Sequence, residues 1–472
     1  MGSAPITGAG LLATVDGPLA NDTIDYTFDE LGRSVSLSIN GNTNVSTVRY
    51  DSLGRIDRVT NPLGVFNYSY QNVTGRLDYI DYPNGQKVAY TYFDNSGDQR
   101  LKQIKNMGVG GAGSGLSQFD YTYNAAGEIT TWTQNYQGAT SAQRYEPRYD
   151  AASQLVGAKI KNASTEALVK EYIYGYDIAG NRTQEQADAN VTSSSYNNLN
   201  QLTGQIPAGE MEFSGTINEP STITLGGRSA TVDAENHWRG KAAVTLGNNS
   251  VPLVATDVNG NTTTKSISVN VSGGVSRTLS YDLNGNETDN GAGQHYGYNA
   301  LNQLVKITNG VNVTEFVYNG LGQRVLEKLS GVLIKQWIWC GGAQPCEERD
   351  AFGSVTKRFL AQGELIEGTS YFYTTDHLGS VREMTDSAGT VRARYSYDPY
   401  GRFTKVSGDQ EADFGFTGFF RHQGSGLSLT MYRAYDPERG RWLSRDPLEN
   451  AEMKQGANLY AYVANQPLDR ID

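Results

Sequence analysis

A short unit recurs along this chain: an aromatic residue, Asp or Asn, two variable residues, Gly and often Arg. It reads Phe28-Asp29-Glu30-Leu31-Gly32-Arg33 and Tyr50-Asp51-Ser52-Leu53-Gly54-Arg55. It returns at Tyr123-Asn124-Ala125-Ala126-Gly127, Tyr176-Asp177-Ile178-Ala179-Gly180, Tyr281-Asp282-Leu283-Asn284-Gly285 and Tyr318-Asn319-Gly320-Leu321-Gly322. Weaker copies begin at Tyr70, Tyr92, Tyr149, Tyr196 and Tyr298. From aromatic to aromatic the step is mostly about 20 to 27 residues, the length of a supersecondary unit that stacks on its neighbours. The chain therefore folds as an array in which each unit buries its apolar face against the next.

The residues before each turn alternate, as in Val88-Ala89-Tyr90-Thr91-Tyr92, Phe119-Asp120-Tyr121-Thr122-Tyr123 and Tyr172-Ile173-Tyr174-Gly175-Tyr176. Period 2 with aromatic and β-branched residues predicts strands. The Asp or Asn can bond backbone two residues on, and the Gly can take a positive φ to close the loop. Alternation resumes in Arg33-Ser34-Val35-Ser36-Leu37 and Arg55-Ile56-Asp57-Arg58-Val59, so each unit predicts a β-hairpin and the chain an all-β fold. Helical patterning is confined to two short stretches, 347–349 and 450–454. With 30 Tyr in 472 residues, packing relies on amphipathic rings rather than on Leu and Ile. The rings are expected to form ladders between successive hairpins, each cross-strand pair adding roughly 0.2 to 1 kcal/mol. Exposed Tyr stripes that bind sugars are the other reading.

One interval breaks the rhythm, because Tyr196 and Tyr281 lie 85 residues apart. Taking out Glu210 to Gly274 restores an ordinary step. The removed stretch holds Phe213-Ser214-Gly215-Thr216-Ile217, Ser221-Thr222-Ile223-Thr224-Leu225, Ala243-Val244-Thr245-Leu246 and Ser266-Ile267-Ser268-Val269-Asn270-Val271, short strands at close spacing. A small Ig-like β-sandwich inserted in the array is expected. It serves either as a spacer or reinforcing plug, or as a carbohydrate-binding or adhesive module.

Charge excludes one class of partner. The 39 Lys and Arg against 50 Asp and Glu give a net charge of −11, which repels phosphate backbones, so no nucleic-acid partner is expected. No run of 18 apolar residues predicts a membrane span, and Met1 to Val15 lacks the basic region of a signal peptide. No Gly-rich loop leads into a helix, and Ser380 and Ser425 lack a triad context, so nucleotide-binding and serine-hydrolase readings fail. His237, His295, His377 and His422 sit at no ligand spacing, and neither a metal nor a cofactor is expected. Cys340 and Cys346 flank a Gly-Gly turn; two thiols with no nearby His make half a zinc site, whereas their spacing suits a disulfide across a hairpin in an exported protein.

These repeats resemble the YD repeats of Rhs (rearrangement hotspot) proteins, and the last third of the chain carries the more specific likeness. Tyr371-Phe372-Tyr373-Thr374-Thr375-Asp376-His377-Leu378-Gly379-Ser380-Val381-Arg382 is similar to the family's YYYTRDHLGSVR signature. Tyr397-Asp398-Pro399-Tyr400-Gly401-Arg402, Phe416-Thr417-Gly418-Phe419 and the run from Tyr432 to Pro447, with Tyr435-Asp436-Pro437-Glu438-Arg439-Gly440-Arg441-Trp442, follow in the family order. Asn458-Leu459-Tyr460-Ala461-Tyr462-Val463 and Asn465-Gln466-Pro467-Leu468-Asp469-Arg470-Ile471-Asp472 complete an Rhs-associated core. The resemblance implies a hairpin array that spirals into a hollow shell around a variable C-terminal toxin domain, with secretion or delivery proteins at its open end. It implies residence outside a bacterial cell, secreted or at the surface. Teneurins and the BC components of Tc toxins carry such repeats too, which keeps a teneurin-like adhesion scaffold as the alternative.

On this reading residues 1–22 are a lead-in, 23–209 and 275–370 the two parts of the shell, 210–274 the insert and 371–472 the associated core, truncated at its autocleavage motif. At the strand spacing of a sheet, a shell of this length encloses at most roughly 80 to 170 packed residues.

The resemblance also implies chemistry. The family core resembles an aspartic protease that cuts its own chain just beyond an Asp-Pro-x-Gly-Leu motif, which assigns the carboxylate pair to Asp446 and Asp472. Two carboxylates at one water cannot both ionise cheaply, so one serves as acid and the other as base. Arg433, or else Arg441, would orient the pair or stabilise the oxyanion. Because the sequence ends at Asp472, without Pro-x-Gly-Leu, a chain of these residues is expected to be inert towards itself. The plainer alternative is that both Asp residues only cap turns.

Overall fold

In the computed structural model, which describes residues 7–41, 43–111 and 115–472, the repeated acidic residue closes its own hairpin. Asp29 Oδ1 accepts the backbone N–H groups of Leu31 and Arg33, both at 2.9 Å, and Oδ2 accepts Arg33 Nε at 2.7 Å. The same set recurs at Asp51 with Leu53 and Arg55. One carboxylate thus satisfies two loop amides that would otherwise lack partners. Gly54 follows at φ 79°, a conformation a side chain would strain. Asn performs the same closure at Asn299 and Asn319, where the residue four on is Gln rather than Arg.

The aromatic residue links one repeat to the one before it. Tyr50 Oη donates to the Ser34 carbonyl at 3.0 Å, Tyr70 Oη to Ile56 at 2.7 Å and Tyr318 Oη to Leu304 at 2.8 Å. The Arg33 guanidinium lies 4.1 Å from the centre of the Tyr50 ring, and Arg55 lies 4.5 Å from Tyr70. Tyr, Asp, Gly and Arg therefore recur together for one reason: Asp and Gly close a hairpin, Arg is held by that Asp, and the next Tyr stacks on the Arg while bonding back to the strand it follows.

The chain divides into two compact units. The first comprises Met1–Ala142, Tyr296–Trp442 and Leu468–Ile471; the second comprises Gln143–His295, Leu443–Pro467 and Asp472.

In the first unit, one antiparallel meander runs from Thr14–Val15 to Ile129–Tyr136 and another from Leu304–Asn309 to Phe403–Gly408. A small sheet of Phe420–His422, Leu427–Leu429, Ala434–Asp436 and Arg441–Trp442 follows. The two meanders meet along a buried seam. Leu63 and Phe66 pack on Phe372, with the Tyr82 ring edge-on to Phe66 at 5.0 Å. Ile24 and Ile39 pack on Ile338. Polar bonds cross the seam: Thr385 Oγ1 donates to Gln86 Oε1 at 2.9 Å, and Arg349 donates to the carbonyls of Ala20 and Asn21 at 2.7 and 2.6 Å.

Glu347–Arg349, patterned as a helix in the sequence, is a strand paired with Val332–Ile338 and Val355–Leu360. The reason is electrostatic. Residues two apart share a face on a strand but not on a helix, so Glu347 accepts from Arg349 at 2.7 Å and from Arg358 of the next strand at 3.2 Å. The other helical stretch does form a single turn, Ala451–Gln455.

Cys340 and Cys346 are joined in a disulfide across the loop between Val332–Ile338 and Glu347–Arg349. Replacing both with Ser removes a seven-residue closed loop and is expected to cost about 2 kcal/mol by loop-closure entropy. Denaturant unfolding of the double Ser variant checks this; no loss relative to the parent would contradict it.

In the second unit, strands from Gln143–Tyr149 to Leu202–Ile206 continue the hairpin pattern. A β-sandwich then spans Gly209–Thr216 through Thr262–Val271. One of its sheets holds Gly209–Thr216, His237–Val244 and Thr231–Val232; the other holds Arg228–Ser229, Ser221–Leu225, Gly247–Asp257 and Thr262–Val271. Its core is Met211, Ile223, Leu225, Trp238, Ala242, Val244, Val251 and Val271, and Val191 of the repeat strand Asn190–Tyr196 joins that cluster. Beyond the sandwich the array resumes where it stopped: Leu202–Ile206 pairs with Arg277–Thr278, Gly204 opposite Thr278 and Gln205 opposite Arg277.

Candidate functional site

Asp446 and Asp472 both belong to the second unit. Asp446 is partly buried, and its backbone is fixed by a bond from its N–H to the Leu459 carbonyl at 3.1 Å. Its Oδ1 accepts the Leu448 N–H at 2.8 Å, which caps the turn through Pro447. Asp472 is exposed.

The segment carrying Asp446 lies over the closing turns of the repeats. Glu287 N–H donates to the Leu443 carbonyl at 2.9 Å, and Tyr460 Oη donates to the Gly285 carbonyl at 2.7 Å. Asn458 Nδ2 donates to Asn181 Oδ1 at 2.9 Å, Asn200 Nδ2 to the Ala457 carbonyl at 3.0 Å and Asn465 Nδ2 to the Gly180 carbonyl at 2.8 Å. The repeat turns thus form a template on which residues 443–467, with almost no regular structure of their own, acquire a fixed path.

Arg433 and Arg441 belong to the first unit, where each has a structural task. The Arg433 guanidinium lies 4.0 Å from the centre of the Trp442 ring. Arg441 is buried in the strand Arg441–Trp442, opposite Asp436. Beside them stands an ion pair that the sequence reading passed over: Asp436 and Arg439, both buried, joined by a charge-assisted bond from Nε to Oδ2. Burial opposes ionisation of Asp436, but the Arg439 guanidinium and two backbone N–H groups hold its carboxyl below the usual range.

Two more buried polar clusters lie in the first unit. The signature from Tyr371 to Arg382 forms a strand, a turn and the start of a second strand. Arg382, with no exposed surface, donates to Asp376 Oδ2 at 3.2 Å, to Gln134 Oε1 at 2.6 Å and to the Tyr136 hydroxyl. The rings of Phe119, Trp132, Tyr136 and Tyr397 surround it at 5.4 to 5.7 Å. Next to it Glu383, also fully buried, accepts from Ser117 Oγ at 2.9 Å and from Thr374 Oγ1.

The second cluster is Glu364, Asp413, Lys357 and Tyr373. Lys357 Nζ lies 2.5 Å from Asp413 Oδ2. Burial, followed by the neighbouring Asp413 carboxylate, pushes the Glu364 carboxyl well above the usual range, and burial does the same to the Tyr373 hydroxyl. Burial and the Asp413 carboxylate thus both disfavour the charged form of Glu364. Tyr373 also lines an apolar cavity of about 400 Å³, together with Phe359, Phe414 and the disulfide loop.

Asp233, Glu235 and His237 of the sandwich bring three possible metal-ligand atoms within 4.8 Å, all on exposed residues. Their arrangement repeats the hairpin closure: Asp233 Oδ1 accepts the N–H groups of Glu235 and His237, and the fifth residue contacts Oδ2 at 3.3 Å.

The teneurin YD-shell family matches residues 268–468. The tRNA3(Ser)-specific nuclease WapA of Bacillus spizizenii is 29% identical over 208 residues, 41% of this chain and 9% of that protein. The toxin subunit YenC1 of Yersinia entomophaga is 26% identical over 492 residues, 91% of this chain and 45% of that one. The chain is similar to Rhs-type YD-repeat proteins. Toxin protein Tse5 of Pseudomonas aeruginosa matches its repeats at 33% identity over 121 residues, 25% of the YD-repeat chain and 9% of Tse5. The YD-repeat chain thus spans less than half the length of these curated relatives. Among solved structures, TcdB2-TccC3-Cdc42 aligns at 15% identity and a TM-score of 0.35, covering 98% of this chain and 28% of the other. Among the described residues no helix is long and apolar enough to cross a membrane.

Proposed function

We propose that this YD-repeat protein is the shell part of a secreted or surface-delivered bacterial toxin. It encloses a C-terminal toxin domain and frees it by hydrolysing the chain just beyond an Asp-Pro-x-Gly-Leu motif that starts at Asp472. The observation that carries the reading is the path of residues 443–467, held on the repeat turns so that Asp446 and Asp472 fall in one compact unit. A shell whose only task was adhesion would not need to template the otherwise irregular segment that carries Asp446.

The chemistry is peptide hydrolysis with one water. One carboxylate of the pair takes a proton from the water as its oxygen attacks the scissile carbonyl carbon. The other, protonated, delivers its proton to the leaving nitrogen as the C–N bond breaks, so that one water is consumed and each chain is cut once.

The test is a chain continued past Asp472 by Pro-x-Gly-Leu and a small folded reporter domain, run on a denaturing gel beside Asp446→Asn. Two bands for the parent and one for the variant are expected. A single intact band for both would remove self-processing from the account.

A further inference from the structure

The C-terminal segment is gripped at two successive residues of the first unit. The Nε2–H of His377 donates to the Leu468 carbonyl at 2.8 Å, and its Nδ1 accepts from the Tyr121 hydroxyl at 3.1 Å. The tautomer follows from the partners: a carbonyl can only accept, so the ring proton sits on Nε2. The ring is lodged edge-on to Tyr121 and Trp132, at 4.7 and 5.0 Å between centres. One residue further along the chain, Asp469 Oδ1 accepts the Ile129 N–H at 2.9 Å. Leu468 itself is buried.

The turn that contains His377 has no use for the imidazole. Asp376 closes it alone, with Oδ1 accepting the N–H groups of Leu378 and Ser380, both at 3.0 Å, as Asp29, Asp51 and Asp177 do in their repeats. The imidazole occupies a variable position of the repeat, filled by Glu30, Ser52 and Ile178 in other copies. At those copies the side chain at this position carries no part of the closure. Here it reaches a backbone carbonyl 91 residues away in the chain.

We propose that His377 is a positioning residue: it pins the backbone four residues before Asp472 and so sets where the chain is presented for cleavage. It rests on the self-cleavage reading above. The imidazole moves no proton in the reaction; it fixes the backbone whose continuation is cut, and a displacement of about 1 Å at such a point costs up to about 100-fold in rate.

Two variants separate this role from general packing. His377→Gln keeps an N–H donor near the Nε2 position, and His377→Leu fills similar space without one. The first readout uses the chain as it stands. Hydrogen exchange of the amides from Asp469 to Asp472 is expected to speed up about tenfold or more in His377→Leu and to stay near parental in His377→Gln, with the unfolding midpoints of the variants alike. The second uses the reporter-extended chain in timed cell-free synthesis: cleavage slows roughly 10- to 100-fold in His377→Leu and recovers in His377→Gln. Parental cleavage in His377→Leu overturns the proposal even if Asp446→Asn is inert, and self-processing then stands without it. Should the parent itself stay intact, self-processing falls and exchange alone decides the anchor: faster exchange confined to residues 469–472 upholds it, and unchanged exchange rejects it.

Discussion

Arg382→Met destabilises the first unit by about 3 to 5 kcal/mol in denaturant unfolding, the usual cost of removing one partner of a buried ion pair. The guanidinium has no exposed surface, and its removal takes the Arg382 donor from the buried Asp376 Oδ2 and from Gln134 and Tyr136, which keep their own bond at 3.0 Å. It also empties the space among four aromatic rings. Met restores most of the volume but none of the donors. Adding Asp376→Asn should recover part of the loss, because taking out both members of a buried pair costs less than taking out one. The repeats show that Asn is admissible there: Asn299 and Asn319 close their hairpins with the same Oδ1 bonds that Asp376 makes. A loss below about 1 kcal/mol for the single variant, or none regained in the double, would show that the cage is packing alone.

The second large effect depends on pH. Glu364 is held protonated in the folded protein by its burial and by Asp413, whereas in the unfolded chain it ionises at its ordinary value of 4.5. Above pH 4.5 the unfolded state releases a proton that the folded state keeps, so this group makes the protein less stable as pH rises, up to the raised folded value. The limiting slope is about 1.4 kcal/mol per pH unit. Glu364→Gln keeps the size and shape of the side chain and cannot ionise. Its stability should match the parent's near pH 4.5 and exceed it progressively towards pH 8. Parallel stability profiles for the two proteins across that range would mean that Glu364 is ionised in the fold.

Much of the fold is legible in the sequence because the repeat is a local device. Asp29, Gly32 and Arg33 satisfy one another within five residues, so the hairpin can be read from spacing alone. The Tyr ladder and the disulfide are nearly as local. The insert was legible for the opposite reason: it interrupts a period, and Tyr196 and Tyr281 mark its edges. Glu347–Arg349 was misread because three adjacent charges resemble a solvated helical turn, and the partner that makes them a strand, Arg358, lies on the following strand. The buried clusters were invisible for the same reason. Glu364 meets Asp413 and Arg382 meets Gln134 only after distant strands are brought together. Asp446 could be picked out by resemblance, but its setting on Asn181, Gly285 and their neighbours could not, since the residues that build the template look like ordinary turn residues.

The join at the sandwich has an evolutionary consequence. Gly204 and Gln205 find the partners they need in Thr278 and Arg277, as though the residues between were absent. The array at that point asks of an inserted sequence that its two ends emerge side by side and that it cover Val191 and pair with Gln186. Closing a longer excursion adds only about 0.6 kcal/mol for each doubling of its length. Such a junction is a docking port in the genetic sense, where whole domains can be gained, lost or traded between lineages without disturbing the register on either side.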